Sequence, residues 1–170
     1  MDLAKFLRDV PDFPKPGILF KDITPLLASP AAMRATIDRL AKLDVGRIDK
    51  IAAIESRGFL FGAPLAVKLG IGFVPVRKPG KLPWKTNRIE YALEYGNDAV
   101  EIHQDAVKDG ERVLMVDDLL ATGGTMSAAC QLIEGCGGVV AACAFVVELG
   151  FLKGRKRLAS QRIESLIVVP

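Results

Sequence analysis

The chain has 170 residues, enough for one domain with a sizeable buried core. Hydrophobic residues make up 50% and aromatic residues only 6%, which suits an aliphatic α/β core and excludes disorder. The net charge of +3 fits anionic small substrates, and with neither a dense basic stripe nor a reader motif it argues against a nucleic-acid binder.

Leu3, Phe6, Leu7 and Val10 fall on one face of a short amphipathic helix predicted over 1–10. The proline-rich stretch 11–17 reads as a loop. Ser29 caps and Pro30 opens a helix over 29–43. Strands and helices then alternate: a strand over 50–54, a helix over 58–69 stopped by Gly70, and a strand over 72–76. Between Arg77 and Asp109 the pattern breaks. Residues 89–95 and 99–102 can pair as an antiparallel flap, and an insertion of that length is often a lid. The alternation resumes with a strand over 112–116 and a helix over 125–136 ended by Gly137-Gly138. A strand over 139–147, a short helix over 151–158 and a strand over 165–169 complete it. Apolar runs without alternation, separated by helices, indicate a parallel sheet covered on both faces.

Cys130, Cys136 and Cys143 are an odd number without C-x-x-C spacing, as expected of core residues in a reduced cytoplasmic protein. No apolar stretch is long enough to span a membrane, and the first residues include Asp2 and Asp9 rather than a signal run. His103, the only histidine, has no evident partners for catalysis. The basic run Lys153-Gly154-Arg155-Lys156-Arg157 reads as a solvated helix face.

The segment Val113-Leu114-Met115-Val116-Asp117-Asp118-Leu119-Leu120-Ala121-Thr122-Gly123-Gly124-Thr125 carries the most chemistry. It is an apolar strand ending in two acids, then a loop of small and hydroxyl residues, then a helix start. Gly123 and Gly124 remove the Cβ atoms that would keep an anion from the backbone N–H groups. The hydroxyls of Thr122 and Thr125 add donors, and the helix dipole favours negative charge. Asp117 and Asp118 would repel a phosphate, so they suit ribose hydroxyls or a hydrated Mg²⁺. The pattern is neither a Walker A loop nor a dinucleotide fingerprint, and it implies a site for a phosphorylated sugar. Glu55-Ser56-Arg57-Gly58 follows the first buried strand, where open sheets bind ligands; Arg57 there suits a diphosphate, or Ser56 is merely a cap. Arg77, Lys78 and Lys81 form a cationic cluster after the second strand.

These motifs resemble those of the type I phosphoribosyltransferases, and Val116-Asp117-Asp118-Leu119-Leu120-Ala121-Thr122-Gly123-Gly124-Thr125 resembles the adenine-specific branch. The resemblance covers nearly the whole chain and implies an α/β domain over 1–170. In that fold a central, mostly parallel sheet is flanked by helices, with a small N-terminal hood (1–28) and a flexible β flap (78–103). It implies that Asp117 and Asp118 hold the ribose of phosphoribosyl pyrophosphate (PRPP) and that Ala121, Thr122, Gly123, Gly124 and Thr125 hold its 5′-phosphate. Glu55, Ser56, Arg57, Arg77, Lys78 and Lys81 would serve the pyrophosphate. Tyr91-Ala92-Leu93-Glu94-Tyr95-Gly96 resembles the catalytic flap, with Glu94 the proton-transfer carboxylate and Tyr95 a water shield. In the hood, backbone groups near Leu19 and Lys21 would read the base edge and Phe20 would stack on the ring, with Leu149 on its other face. Mg²⁺ would arrive through PRPP and water, without direct protein ligands. The expected reaction is adenine plus PRPP giving AMP and pyrophosphate in purine salvage, by a cytoplasmic homodimer. A sister transferase for another base and a PRPP-sensing regulator without catalysis remain open alternatives. The stretch Trp84-Lys85-Thr86-Asn87 departs from the family pattern.

Overall fold

The computed structural model describes residues 1–13, 15–92 and 97–170, which fall into two compact units, Met1–Lys42 and Leu43–Pro170. Among them no helix is long and apolar enough to cross a membrane.

In the first unit, strands β1 (Arg8–Pro11) and β2 (Leu19–Asp22) pair antiparallel, followed by helices α1 (Thr24–Ala28) and α2 (Pro30–Leu40). The single helix expected over 1–10 is not formed. Asp2 caps a 3-10 turn over Leu3–Phe6, and the chain then extends into β1. A ten-residue helix is marginal by itself, whereas β2 offers this segment a ladder for its backbone groups. The α2 start follows expectation: Ser29 Oγ accepts the Ala32 N–H at 3.3 Å, and Pro30 occupies the first turn.

In the second unit, β3 (Lys50–Ile54), β4 (Gly72–Val76), β7 (Arg112–Leu120), β8 (Val139–Leu149) and β9 (Ile163–Val169) form a five-stranded parallel sheet in the order β4-β3-β7-β8-β9. Helix α3 (Phe59–Leu69) ends at Gly70, whose φ of 67° is the left-handed conformation that closes a helix. Alternate residues of β3 face opposite sides of the sheet. Ala53 meets α3, where a Cβ on Gly62 would lie 2.6 Å from Ala53 Cβ. Ala52 and Ile54 join a core with Met126, Ala129 and Ile133 of α4 (Gly124–Gly135). Both faces are thus covered, as the unalternating apolar strands require. Cys130 and Cys143 are buried in this core with sulfurs 3.5 Å apart, an arrangement that pushes the Cys130 thiol pKa up.

The flap is an antiparallel pair, β5 (Thr86–Ala92) and β6 (Asn97–His103), packed on α4. Its strands extend beyond the expected ones because cross-strand pairing continues to Thr86↔His103. The helix expected over 151–158 is instead two 3-10 turns, Gly150–Leu152 and Gly154–Leu158, broken at Lys153 with φ 54°.

Candidate active site

The strand order creates the site. From β3 the chain moves out to β4, then returns to β7 on the other side of β3, so the carboxyl ends of β3 and β7 flank a switch point where open α/β sheets leave a crevice. The motif strand is longer than expected. Pairing with β8 carries β7 on to Leu120↔Glu148, so Asp117 and Asp118 lie within the strand. The β3–β7 register stops at Ala53↔Val116. Beyond Val116 the edge of β7 faces a cavity of about 450 Å³ lined by Glu55, Ser56, Arg57, Lys78, Asp117, Asp118, Ala121 and Thr125. Contiguous residues Ala121, Thr122, Gly123, Gly124 and Thr125 line a second hollow of about 90 Å³ at the α4 N-terminus.

Close packing explains the glycines. Gly58 lies under the strand ends, where a Cβ would stand 2.6 Å from the Ile54 carbonyl oxygen. Gly123 has φ 81°, and a Cβ there would lie 2.7 Å from the Gly154 carbonyl oxygen. A Cβ on Gly154 would lie 2.3 Å from the Ala121 carbonyl oxygen. The loop between β7 and α4 is therefore braced by the following 3-10 turn, which keeps its N–H groups in place for an anion.

The acids are electrostatically distinct. Arg57 Nε lies 2.7 Å from Asp118 Oδ2, and the Asp118 side chain is only 5% exposed. Asp117 Oδ1 accepts the Asp118 N–H at 2.9 Å. Burial, reinforced by the adjacent Asp118 charge, raises the Asp117 carboxyl well above the usual carboxylate range. Burial also raises Asp118, with Arg57 opposing it.

Glu55 organises the cations. Its Oε2 accepts from Lys78 N–H at 2.5 Å and from Arg77 Nε at 3.2 Å, and the Glu55–Ser56 peptide is cis. Arg77 Nη1 donates to the Lys81 carbonyl at 3.2 Å, while buried Glu101 accepts the Gly80 N–H at 3.2 Å. Lys78 reaches the cavity, whereas Arg77 and Lys81 do not line it.

Leu19, Phe20 and Lys21 belong to β2 of the first unit. There the Phe20 ring packs edge-on against Phe13 at 5.1 Å, and Lys21 pairs with Asp9 at 2.5 Å. Leu149 ends β8 and is 8% exposed. Glu94 and Tyr95 lie outside the described residues. The basic run is not simply a solvated face: Arg155 Nε and Nη2 grip Glu148 at 2.7 Å each, and Arg157 Nη1 donates to the Ala92 carbonyl at 3.5 Å. His103 Nε2 accepts the Trp84 N–H at 3.4 Å, giving that histidine a structural partner. Sequence reasoning gave no role to Tyr91 or Asp98, although both line up at the cation loop. The alternation of β5 is a sequence signal that could have placed Tyr91 on its inner face; β6 does not alternate and offered none for Asp98.

A family model for the phosphoribosyl transferase domain matches residues 23–166. An adenine phosphoribosyltransferase from Caldanaerobacter subterraneus subsp. tengcongensis is 59% identical over 167 residues, 98% of this chain and 96% of its own. The crystal structure of adenine phosphoribosyltransferase from Thermoanaerobacter pseudethanolicus superposes with a TM-score of 0.95 at 57% identity, covering 98% of each chain. The Saccharomyces cerevisiae adenine phosphoribosyltransferase, crystallised with an imino-altritol bisphosphate and adenine, superposes with a TM-score of 0.92 at 43% identity over 96% of each chain.

Proposed function

The chain belongs to the adenine phosphoribosyltransferases of the phosphoribosyl transferase family, and on that premise we propose that it transfers the phosphoribosyl group of PRPP to adenine, giving AMP and pyrophosphate in purine salvage. The observation that carries this reading is the set of groups around two adjoining hollows. A glycine cradle lines one, Asp118, Arg57 and Lys78 line the other, and Asp117, Ala121 and Thr125 line both. A sugar with hydroxyls between two phosphoryl ends has a partner for each of its groups there.

In this reading Asp117 and Asp118 accept from the ribose hydroxyls, and the loop from Ala121 to Thr125 holds the 5′-phosphate. Arg57 and Lys78 neutralise the departing pyrophosphate, while Glu55 aims the backbone of Lys78 and the side chain of Arg77. Ser56 and Lys81 complete the pyrophosphate side. The bond from the anomeric carbon to pyrophosphate breaks as a nitrogen of the adenine five-membered ring bonds to that carbon. The neutral base then sheds a proton, which the Glu94 carboxylate takes, with Tyr95 excluding water. The family resemblance assigns the adenine contacts to backbone groups near Leu19 and Lys21, to the Phe20 ring and to Leu149. The yeast relative's complex with adenine supports the base.

Among the described residues no cluster of three or more His, Cys, Asp or Glu side chains is placed to hold a metal ion. The all-oxygen donor set of Asp117 and Asp118 beside a polar cavity fits Mg²⁺ carried in by PRPP and hydrated toward the protein. Bound there, Mg²⁺ would neutralise diphosphate charge. We also propose a cytoplasmic homodimer. The apolar surface of α3, where Leu60 is 44% and Val67 83% exposed, supports an association through that helix.

The test is pyrophosphate release from PRPP and Mg²⁺ with adenine, hypoxanthine, guanine, xanthine and orotate in parallel. Selective release with adenine is the expected result. Selective release with another base would overturn the adenine assignment, and PRPP binding without release would favour a sensor.

A further inference from the structure

We propose that Arg155 and Glu148 are positioning residues for the 5′-phosphate: their ion pair clamps the 3-10 turn Gly154–Leu158 to the sheet, and that turn sets the backbone of the loop from Ala121 to Thr125. The inference rests on the role given above to that loop.

The turn has little to hold it by itself. It is five residues long, it follows Lys153 with φ 54°, and 3-10 hydrogen bonds are poorer than those of an α-helix. Two side chains anchor it. Leu158 is 1% exposed and belongs to the core that contains Leu120 and Met126. Arg155 reaches the carboxyl end of β8, where its Nε and Nη2 donate to Glu148 Oε1 and Oε2 at 2.7 Å each. Its Nη1 donates to the Ile163 carbonyl of β9 at 3.4 Å. Ser165 Oγ, also on β9, donates to Glu148 Oε2 at 2.6 Å, so three donors serve one carboxylate. The Glu148 side chain is 7% exposed, against 50% for Arg155. The Arg155 hydrogen bonds hold the Glu148 carboxyl below the usual carboxylate range, although burial opposes them. Glu148 pairs in register with Leu120, the residue before Ala121, so the clamp is fixed at the foot of the loop.

The turn meets the loop at three of its residues. A Cβ on Gly154 would overlap the Ala121 carbonyl oxygen. A Cβ on Gly123 would lie 2.7 Å from the Gly154 carbonyl oxygen and 3.4 Å from Arg157 Cβ, and one on Gly124 would lie 3.0 Å from Arg157 Nη1. Neither Arg155 nor Glu148 lines the hollow of this loop or the larger cavity. A buried ion pair adds little net stability over apolar side chains of similar size. A bidentate arginine–carboxylate pair does add geometric precision. Anion capture by backbone N–H groups needs that precision, because a loose supporting shell costs a site its alignment.

A clamp on one half of the site has a selective signature. The experiment measures dissociation constants by calorimetry for ribose 5-phosphate and for inorganic pyrophosphate with Mg²⁺, together with melting temperatures. It compares the wild-type protein, Arg155→Lys and the double variant Glu148→Met/Arg155→Met. The double variant leaves no buried charge unpaired, so it is expected to melt close to wild type. It is expected to bind ribose 5-phosphate about two- to thirtyfold more weakly, the range for residues that act without touching a ligand. Pyrophosphate binding should not change, because Arg57 and Lys78 do not rest on this turn. Arg155→Lys keeps the charge but not the two parallel donors, and a smaller loss in the same direction is expected. Equal losses for both ligands would mark a merely structural contact and overturn the clamp. So would wild-type binding of ribose 5-phosphate by a folded double variant. If the double variant does not melt cooperatively, Arg155→Lys decides alone: a selective loss supports the clamp, and wild-type binding of both ligands overturns it. Adenine-dependent pyrophosphate release by the wild-type protein keeps the readings apart. A selective loss without such release would sink the adenine reading and keep the clamp, whereas release without a selective loss would sink the clamp alone.

Discussion

Gly58 lies against Asp117: a Cβ on residue 58 would stand 2.9 Å from Asp117 Oδ1 and 2.6 Å from the Ile54 carbonyl oxygen. The glycine after Arg57 thus lets the β3 turn pass beneath Asp117, the acid proposed to hold the ribose. Both contacts are too close for a real side chain, and one is to backbone that cannot swing away. Gly58→Ala is expected to cost about 1–3 kcal/mol of stability, as overpacking does. It should also lower kcat/KM, because Asp117 and Arg57 must move apart. Thermal unfolding and a pyrophosphate-release assay check this; a variant with wild-type melting and turnover would show that the turn is not fixed by this contact.

Asp117 carries a second consequence. Burial beside Asp118 raises its carboxyl well above the usual range, so the folded protein binds its proton more tightly than the unfolded chain does. A raised folded-state pKa contributes stability below the unfolded value and loses it as pH rises through the folded value. Asp117→Asn removes that loss while its amide oxygen can still accept the Asp118 N–H. The variant is therefore expected to be more stable than wild type at pH 7, by an amount kept small because this half-buried side chain lines the cavity. The gain should shrink toward pH 4, and transferase activity should fall at every pH. A stability difference that grows on acidification would contradict the sign.

Much of this was legible in the chain. The four residues Ile51–Ile54 form an unbroken apolar run between Lys50 and Glu55, short enough to suit a buried parallel strand. The Ser29-Pro30 start and the Gly70 stop each have a local cause, so they too could be read. The site motif was legible because adjacent acids and a Gly-Gly pair at the end of an apolar strand are not what a core alone requires. What the sequence did not disclose depends on distant partners. Residues 8–11 become a strand only because Leu19–Asp22 pairs with them. The motif strand continues past Val116 because β8 keeps pairing with it after β3 has stopped. Arg155, half exposed, is pinned at the surface because the buried Glu148 carboxylate accepts from it, and Ser165 Oγ on the neighbouring strand donates to Glu148 Oε2 at 2.6 Å.

Arg57 tests the pyrophosphate side. Its guanidinium is split between Asp118 and the open cavity, with the side chain 46% exposed. Arg57→Ala removes the cation proposed to meet the leaving group and takes away the Asp118 ion pair. A fall in kcat/KM for PRPP of about 100- to 1000-fold is expected, the scale for losing one preorganised donor. Arg57→Lys should recover only part of it, because an ammonium cannot present two parallel donors to a diphosphate. Equal activity of Lys and Arg at this position would mean that charge alone matters there.

Glu94 tests the chemistry itself. Making a glycosidic bond from neutral adenine leaves a proton on the base, and the resemblance to the family flap assigns that proton to Glu94. Glu94→Gln keeps the size and polarity of the side chain but cannot take a proton. Its kcat is expected to drop by about 100- to 10000-fold, the range for a lost general base. PRPP affinity should stay within about twofold, since that interaction is made elsewhere in the site. Calorimetry of PRPP binding and steady-state pyrophosphate release separate the two quantities. Full turnover in Glu94→Gln would transfer the proton to solvent or another group and remove Glu94 from the mechanism.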